Sequence, residues 1–158
     1  MEAQASEQYQ GSAASSGVFV IGVVGVGFAI GLTIRPGAWY ESLEKPFFTP
    51  PNWVFGPVWT VVYVLIAIAG WRVALSEGFS SAAFRLWGLQ MVLNWAWTPI
   101  FFGAHSISLG LVTILSLSAV AIFFMAKARD RWAFWCFAPY LVWLCYASAL
   151  NAAILALN

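Results

Sequence analysis

Residues 84–126 read FRLWGLQMVLNWAWTPIFFGAHSISLGLVTILSLSAVAIFFMA. Two apolar windows, about 84–102 and 107–126, flank the short connection Gly103-Ala104-His105-Ser106. Each matches the ~20 apolar residues that carry a helix across a bilayer. Working outward, windows of the same kind lie at about 53–74 upstream and 132–157 downstream, and one more at about 16–34. The expected fold is therefore all-α, an integral membrane bundle of five transmembrane helices forming a single domain over residues 1–158. Composition agrees: 62% of residues are apolar and 8% charged, where soluble domains carry about a quarter charged residues. The opening MEAQASEQYQ contains no Lys or Arg, unlike the n-region of a secretory signal, so the first span is expected to be retained.

The Lys and Arg residues set an expected orientation. Arg72, Arg85, Lys127, Arg129 and Arg131 fall on the side shared by the N-terminus and the second and fourth connections, whereas Arg35 and Lys45 fall opposite. This puts the N-terminus on the Lys/Arg-rich side and the first loop and C-terminus on the other. A net charge of +1 with no basic patch excludes nucleic acid as a partner. Cys136 and Cys145 lie in one apolar stretch, about 13 Å apart along a helix axis, beyond disulfide reach.

The first connection, RPGAWYESLEKPFFTPPN (35–52), is too long for a simple turn. Pro36 can open a short helix and Pro46 must end it. Between them Trp39, Tyr40 and Leu43 share one face, while Glu41, Glu44 and Lys45 point elsewhere. Pro50-Pro51 then stiffens the approach to the second span. Two roles stay open, a helix resting in the headgroups and a short helical lid over the bundle mouth. Long structured loops often carry function, which favours the lid.

Ten tryptophans exceed what interfacial belts require. Trp53, Trp71, Trp87, Trp132 and Trp135 lie near span ends and fit a belt; Trp59, Trp95, Trp97 and Trp143 lie deeper. In the third span Gln90, Asn94, Trp97 and Phe101 recur at helical spacing, and in the fifth Tyr140, Trp143, Ala147 and Asn151 do the same. Carboxamides turn inward in a membrane, either bonding across helices or lining a cavity. Phe55, Trp59 and Tyr63 give the second span an aromatic stripe, and Pro99 and Pro139 should kink their helices and open room between neighbours. The sum is an aromatic cavity with a few amides, suited to a large, flat, apolar ligand.

No Gly-rich phosphate loop, no paired His or Cys ligand set and no ionisable residue near a span centre occurs, so nucleotide hydrolysis, zinc chemistry and ion pumping lack their parts. His105, the one histidine, sits in a connection and reads as a surface or capping residue. Gly27 and Gly31 fit the spacing for close helix approach, within the bundle or between protomers.

The runs WYESLEKPFFTPPNWVFGPVWTVVY (39–63), LNWAWTPIFFGAH (93–105) and PYLVWLCYASALN (139–151) together resemble the TspO/MBR family, the tryptophan-rich sensory proteins that include the mitochondrial translocator protein. The resemblance implies a five-helix, usually dimeric membrane protein whose pocket under the first loop binds porphyrins such as protoporphyrin IX. By motif it points to Tyr40, Trp53, Trp59, Asn94, Trp97, Trp143, Ala147 and Asn151 as ligand-binding positions. Phe47 and Phe48 stand where many members carry tryptophan, so a role for a loop indole does not carry over. For the dimer, the resemblance favours the face of the third span around Gly88, with Gly27 and Gly31 as the competing surface.

The leading expectation is a receptor or carrier for tetrapyrroles, requiring no cofactor and taking a porphyrin as ligand. Arg35 or Lys45 would meet the porphyrin carboxylates at the mouth. The chief rival is a light-dependent porphyrin-degrading enzyme using Trp59 and Trp143, since no acid, base or nucleophile set supports conventional catalysis. A sterol or lipid carrier is a further alternative, weakened because no Lys or Arg follows Arg131 to complete the sterol-contact pattern.

Overall fold

The computed structural model describes residues 2–158, with side chains from Ser15 onward. Six α-helices and no strand occur among the described residues: α1 (Glu2–Thr33), α2 (Ala38–Ser42), α3 (Asn52–Glu77), α4 (Ala82–Thr98), α5 (Ile107–Lys127) and α6 (Arg131–Leu157). The all-α expectation holds. Helices α3, α5 and α6, and α1 from Ser15, are each long and apolar enough to cross a membrane. The side chains of the opening decapeptide, on which the signal-peptide reading rests, lie outside the described residues.

The third window departs from a single α-helix. Helix α4 has 17 residues and stops at Thr98, and a π-helical turn, Pro99–Gly103, follows it directly. Pro99 lacks an N–H, so the regular i→i−4 ladder loses a donor there. The chain widens instead of simply kinking: the Ala104 N–H reaches the Pro99 carbonyl at 2.8 Å, and the Ser106 N–H reaches that of Ile100 at 3.3 Å. This wider turn carries Phe101 into the bundle, where it packs on Gly110 of α5; an added Cβ there would lie 2.7 Å from the Phe101 ring. Pro139, also expected to interrupt its helix, sits inside a continuous α6.

Helix α3 supplies much of the core. Ile66, Ala67, Ala69 and Val73 are fully buried and cluster with Leu117, Ala121, Phe124, Phe137 and Leu144 of α5 and α6. Outward faces stay apolar and exposed, as at Val61, Val92, Val112 and Val142, which lipid tolerates. Glycines set the close approaches. A Cβ on Gly70 would overlap the Trp87 indole, and one on Gly27 would lie 2.5 Å from the Tyr63 ring. Trp87 is therefore no belt residue: it is buried against Gly70, and its indole N–H donates to the Ile66 carbonyl at 2.9 Å.

At the Lys/Arg-rich end, Arg72 grips Asp130 with two hydrogen bonds of 3.1 and 2.9 Å. Asp130 also caps α6, accepting from the Trp132 and Ala133 N–H groups. The Arg72 hydrogen bond, aided by these backbone donors against the opposing effect of burial, holds the Asp130 carboxyl below the usual carboxylate range. With the folded value depressed, this contribution is present above about pH 4 and fades as pH falls through the folded value. Asp130→Asn should accordingly melt below the parent by a steady margin near neutral pH, and the two melting curves should converge below about pH 4. A margin that does not depend on pH would mean that capping alone, not the ion pair, is at stake.

Candidate functional site

A cavity of about 360 Å³ lies between the helices beneath α2. Helix α3 lends it Phe55, Trp59 and Tyr63; α4 lends Asn94 and Trp97; the π turn lends Phe101 and Phe102; α6 lends Trp143, Ala147 and Asn151. Tyr40 closes it from α2, and α1 adds a wall of Gly27, Phe28, Gly31 and Leu32 that the sequence reading did not assign. The rings form flat surfaces: Trp97 stacks on Phe101 at 5.0 Å, and Trp59 meets Trp143 edge-on at 6.3 Å. Among the described residues, no Asp, Glu, Lys, Arg or His lines the cavity.

Seven of the residues singled out from sequence meet at this wall: Tyr40, Trp59, Asn94, Trp97, Trp143, Ala147 and Asn151. Three others do not. Trp53 is 74% exposed on the first turn of α3. Arg35 is exposed at the rim, between the lining residues Ile34 and Pro36. Lys45 folds back onto the loop, donating to the Glu41 and Leu43 carbonyls at 3.2 and 3.0 Å and sitting 4.8 Å over the Tyr40 ring. The cause is local. Helix α2 ends at Ser42, four residues before the proline expected to stop it, and its orphan carbonyls attract the ammonium group.

The inward amides divide into two kinds. Asn94 is fully engaged: its Oδ1 accepts from the Tyr63 hydroxyl at 2.6 Å and its Nδ2 donates to the Tyr140 hydroxyl at 2.7 Å, tying α3, α4 and α6 together. Asn151 is 2% exposed, and neither its oxygen nor its nitrogen has a partner. The indole N–H groups of Trp97 and Trp143 are likewise buried without acceptors. Buried polar groups are seldom left so, and these three residues share the cavity wall. Gln90, expected on the same face as Asn94, is buried but does not line the cavity.

The first loop is pinned over this site at several points. Burial, with Tyr146 adding to it, pushes the Tyr40 hydroxyl pKa up. Trp39 stacks on His105 at 4.6 Å, which gives that exposed histidine a partner at its positive φ of 53°. The Glu44 N–H donates to Asn158 Oδ1, the Asn158 amide returns a bond to the Glu44 carbonyl, both at 3.0 Å, and the Tyr146 hydroxyl donates to the Phe48 carbonyl at 2.8 Å.

With that geometry in view, the family model of TspO/MBR proteins matches residues 18–157. The chain belongs to the TspO/MBR family. The tryptophan-rich protein TspO of Archaeoglobus fulgidus is 40% identical to it over 144 residues, covering 88% of this chain and 94% of the relative. Protein CrtK of Rhodobacter capsulatus is 37% identical over 135 residues, 82% of this chain and 84% of the relative. The human translocator protein is 37% identical over 138 residues, 81% of this chain and 78% of the relative. In this TspO/MBR chain the three motif blocks converge on one cavity: Tyr40 and Trp59 come from the first, Asn94 and Trp97 from the second, Trp143 and Asn151 from the third.

Proposed function

We propose that this TspO/MBR membrane protein is a receptor or carrier for porphyrins of the protoporphyrin IX kind and for other flat apolar ligands. The carrying observation is an aromatic cavity, lined by no charged side chain among the described residues, that holds the unpartnered Trp97 and Trp143 N–H groups and the unpartnered Asn151 amide. Apolar walls supply burial and a few polar groups fix orientation, the usual division of labour in a ligand site. Because the wall has no cation, the porphyrin carboxylates face the mouth, where Arg35 lies at the rim. Helix α2 acts as the lid.

On the same reading α4 and its π turn together make the fifth span. They run without a break from Ala82 to Gly103, and about 22 residues at ~1.5 Å each give about 33 Å, enough for a ~30 Å hydrocarbon core. The N-terminus then shares the Arg72 and Lys127 side, and the lid and C-terminus lie opposite. A homodimer completes the assembly.

The test is a titration of the protein in nanodiscs with protoporphyrin IX, following tryptophan fluorescence. Saturable quenching is expected, with affinity reduced about tenfold in Trp143→Phe, the loss of roughly one buried hydrogen bond and its packing. Trp132→Phe, on the lipid-facing start of α6, should match the parent; equal losses in the two variants would move the ligand out of this cavity. The Trp59–Trp143 ring pair favours a second reading, photo-oxidative porphyrin breakdown. Its signature would be a light-dependent loss of porphyrin absorbance that disappears in Trp143→Phe.

A further inference from the structure

The tip of the first loop is built for something the cavity does not use. The Pro46 carbonyl accepts both the N–H and the hydroxyl of Thr49, at 3.0 and 2.8 Å, so Phe47 and Phe48 are the central residues of a locked turn. Phe48 sets its ring near Tyr146, and the Tyr146 hydroxyl bonds its carbonyl. Phe47, edge-on to Phe48, is 100% exposed. In water, a rigid turn that presents a bare phenylalanine gains nothing from it.

Helix arithmetic places this turn. The Arg72–Asp130 ion pair belongs at or outside one edge of the hydrocarbon core, because charges avoid the interior. Helix α6 runs unbroken from there, so Tyr146 lies about 24 Å along it and Asn158 about 42 Å, at ~1.5 Å per residue. Against a core of ~30 Å, Tyr146 is still inside the far edge and Asn158 is well outside. Helical side chains also lean toward the N-terminus, which here means inward. The loop is therefore out in the aqueous or headgroup zone at Glu44, where it pairs with Asn158, and has descended to the edge of the core by Phe48, where it pairs with Tyr146. Trp53, also exposed, stands on the first turn of α3, about 28 Å along that helix from Arg72 at ~1.5 Å per residue, and so near the same edge of the core.

We propose that the Phe47–Phe48 turn is an interfacial anchor, with Phe47 inserted among the lipids at the edge of the bilayer core and Trp53 beside it. The partner is the phospholipid bilayer itself, continuous with the apolar outer faces of α3 and α6. Phenylalanine and tryptophan are favoured at this depth. The lid over the cavity is thereby tied at one corner to the protein, through Asn158 and Tyr146, and at the other to the membrane.

Nitroxide accessibility in nanodiscs tests this directly, in a Cys136→Ser, Cys145→Ser background. A label at Phe47→Cys should show an oxygen-to-nickel-chelate collision ratio several-fold above that at Glu41→Cys on α2, approaching Val142→Cys on the lipid-facing side of α6. A ratio equal to that at Glu41→Cys would overturn the proposal, as would a short label-to-label distance showing that a second copy covers the turn. Hydrogen exchange gives an independent arm: Phe47→Asp should speed exchange of the Glu44 and Thr49 amides severalfold in nanodiscs, and Phe47→Leu should not. Unchanged exchange in Phe47→Asp would also overturn it. The proposal builds on the lid reading, but neither measurement involves a ligand, so its failure is distinguishable from a failure of porphyrin binding.

Discussion

Gly70→Val should lower the thermal midpoint of the purified protein strongly, while Gly88→Leu, a larger side chain on a neighbouring helix, should leave that of the monomer unchanged. Any Cβ at Gly70 overlaps the Trp87 indole, whereas nothing lies within 4 Å of one at Gly88. Trp87 cannot yield cheaply, because its N–H is bonded to the Ile66 carbonyl and its ring is packed between Phe19 and Phe84. Overpacking typically costs about 1–3 kcal/mol, and breaking the indole bond adds about 1 kcal/mol. Together that is a sizeable part of the stability of a small domain. Melting of the two variants in one detergent is the check, and equal midpoints would mean that α3 and α4 are not held by this contact. The same pair tests assembly. If the open Gly88 face of α4 makes the proposed homodimer, Gly88→Leu should run as a monomer in cross-linking and light scattering, with a midpoint that matches the parent's once the parent is itself diluted to monomer. Gly27 is already committed to Tyr63 within the chain, so it is a poor candidate for contact between protomers.

Much of this arrangement was legible because helical spacing and lipid polarity act on the same residues. Asn94 and Trp97, or Trp143 and Asn151, cannot face lipid without stranding polar groups, so period alone pointed them at one another. Spacing could not tell that Asn94 would be satisfied by Tyr63 and Tyr140 while Asn151 would not, because that depends on which hydroxyls the neighbouring helices bring within 3 Å. Trp87 was misplaced for a related reason. Distance from a span end predicts an interfacial ring, but Gly70 on another helix leaves a slot and the Ile66 carbonyl an acceptor. Lys45 looked like a mouth cation because charge is visible in sequence, whereas the early end of α2 that draws it onto backbone carbonyls is not. The share of α1 in the cavity was signalled only by Gly27 and Gly31, whose spacing suggests close approach without naming what approaches.

The two buried asparagines should separate stability from binding. In Asn94→Leu the Tyr63 and Tyr140 hydroxyls lose their shared partner in the core. Interhelical bonds in membranes average about 0.6 kcal/mol and reach about 1.7 kcal/mol, so the loss of both should cost about 1–3 kcal/mol and show as a lowered midpoint. Asn151→Leu breaks no bond within the protein, since the amide has none to break, and it replaces an unsatisfied buried group with an apolar one of similar size. Its midpoint should therefore equal or exceed that of the parent. If the free amide serves the ligand, protoporphyrin IX affinity should fall about tenfold in Asn151→Leu, the equivalent of one hydrogen bond of ~1.4 kcal/mol. Loss of stability in Asn151→Leu with unchanged affinity would instead make Asn151 part of the packing against Gly110 of α5, where an added Cβ would lie 3.4 Å from its amide nitrogen. The orientation of the ligand would then rest on the Trp97 and Trp143 indoles alone.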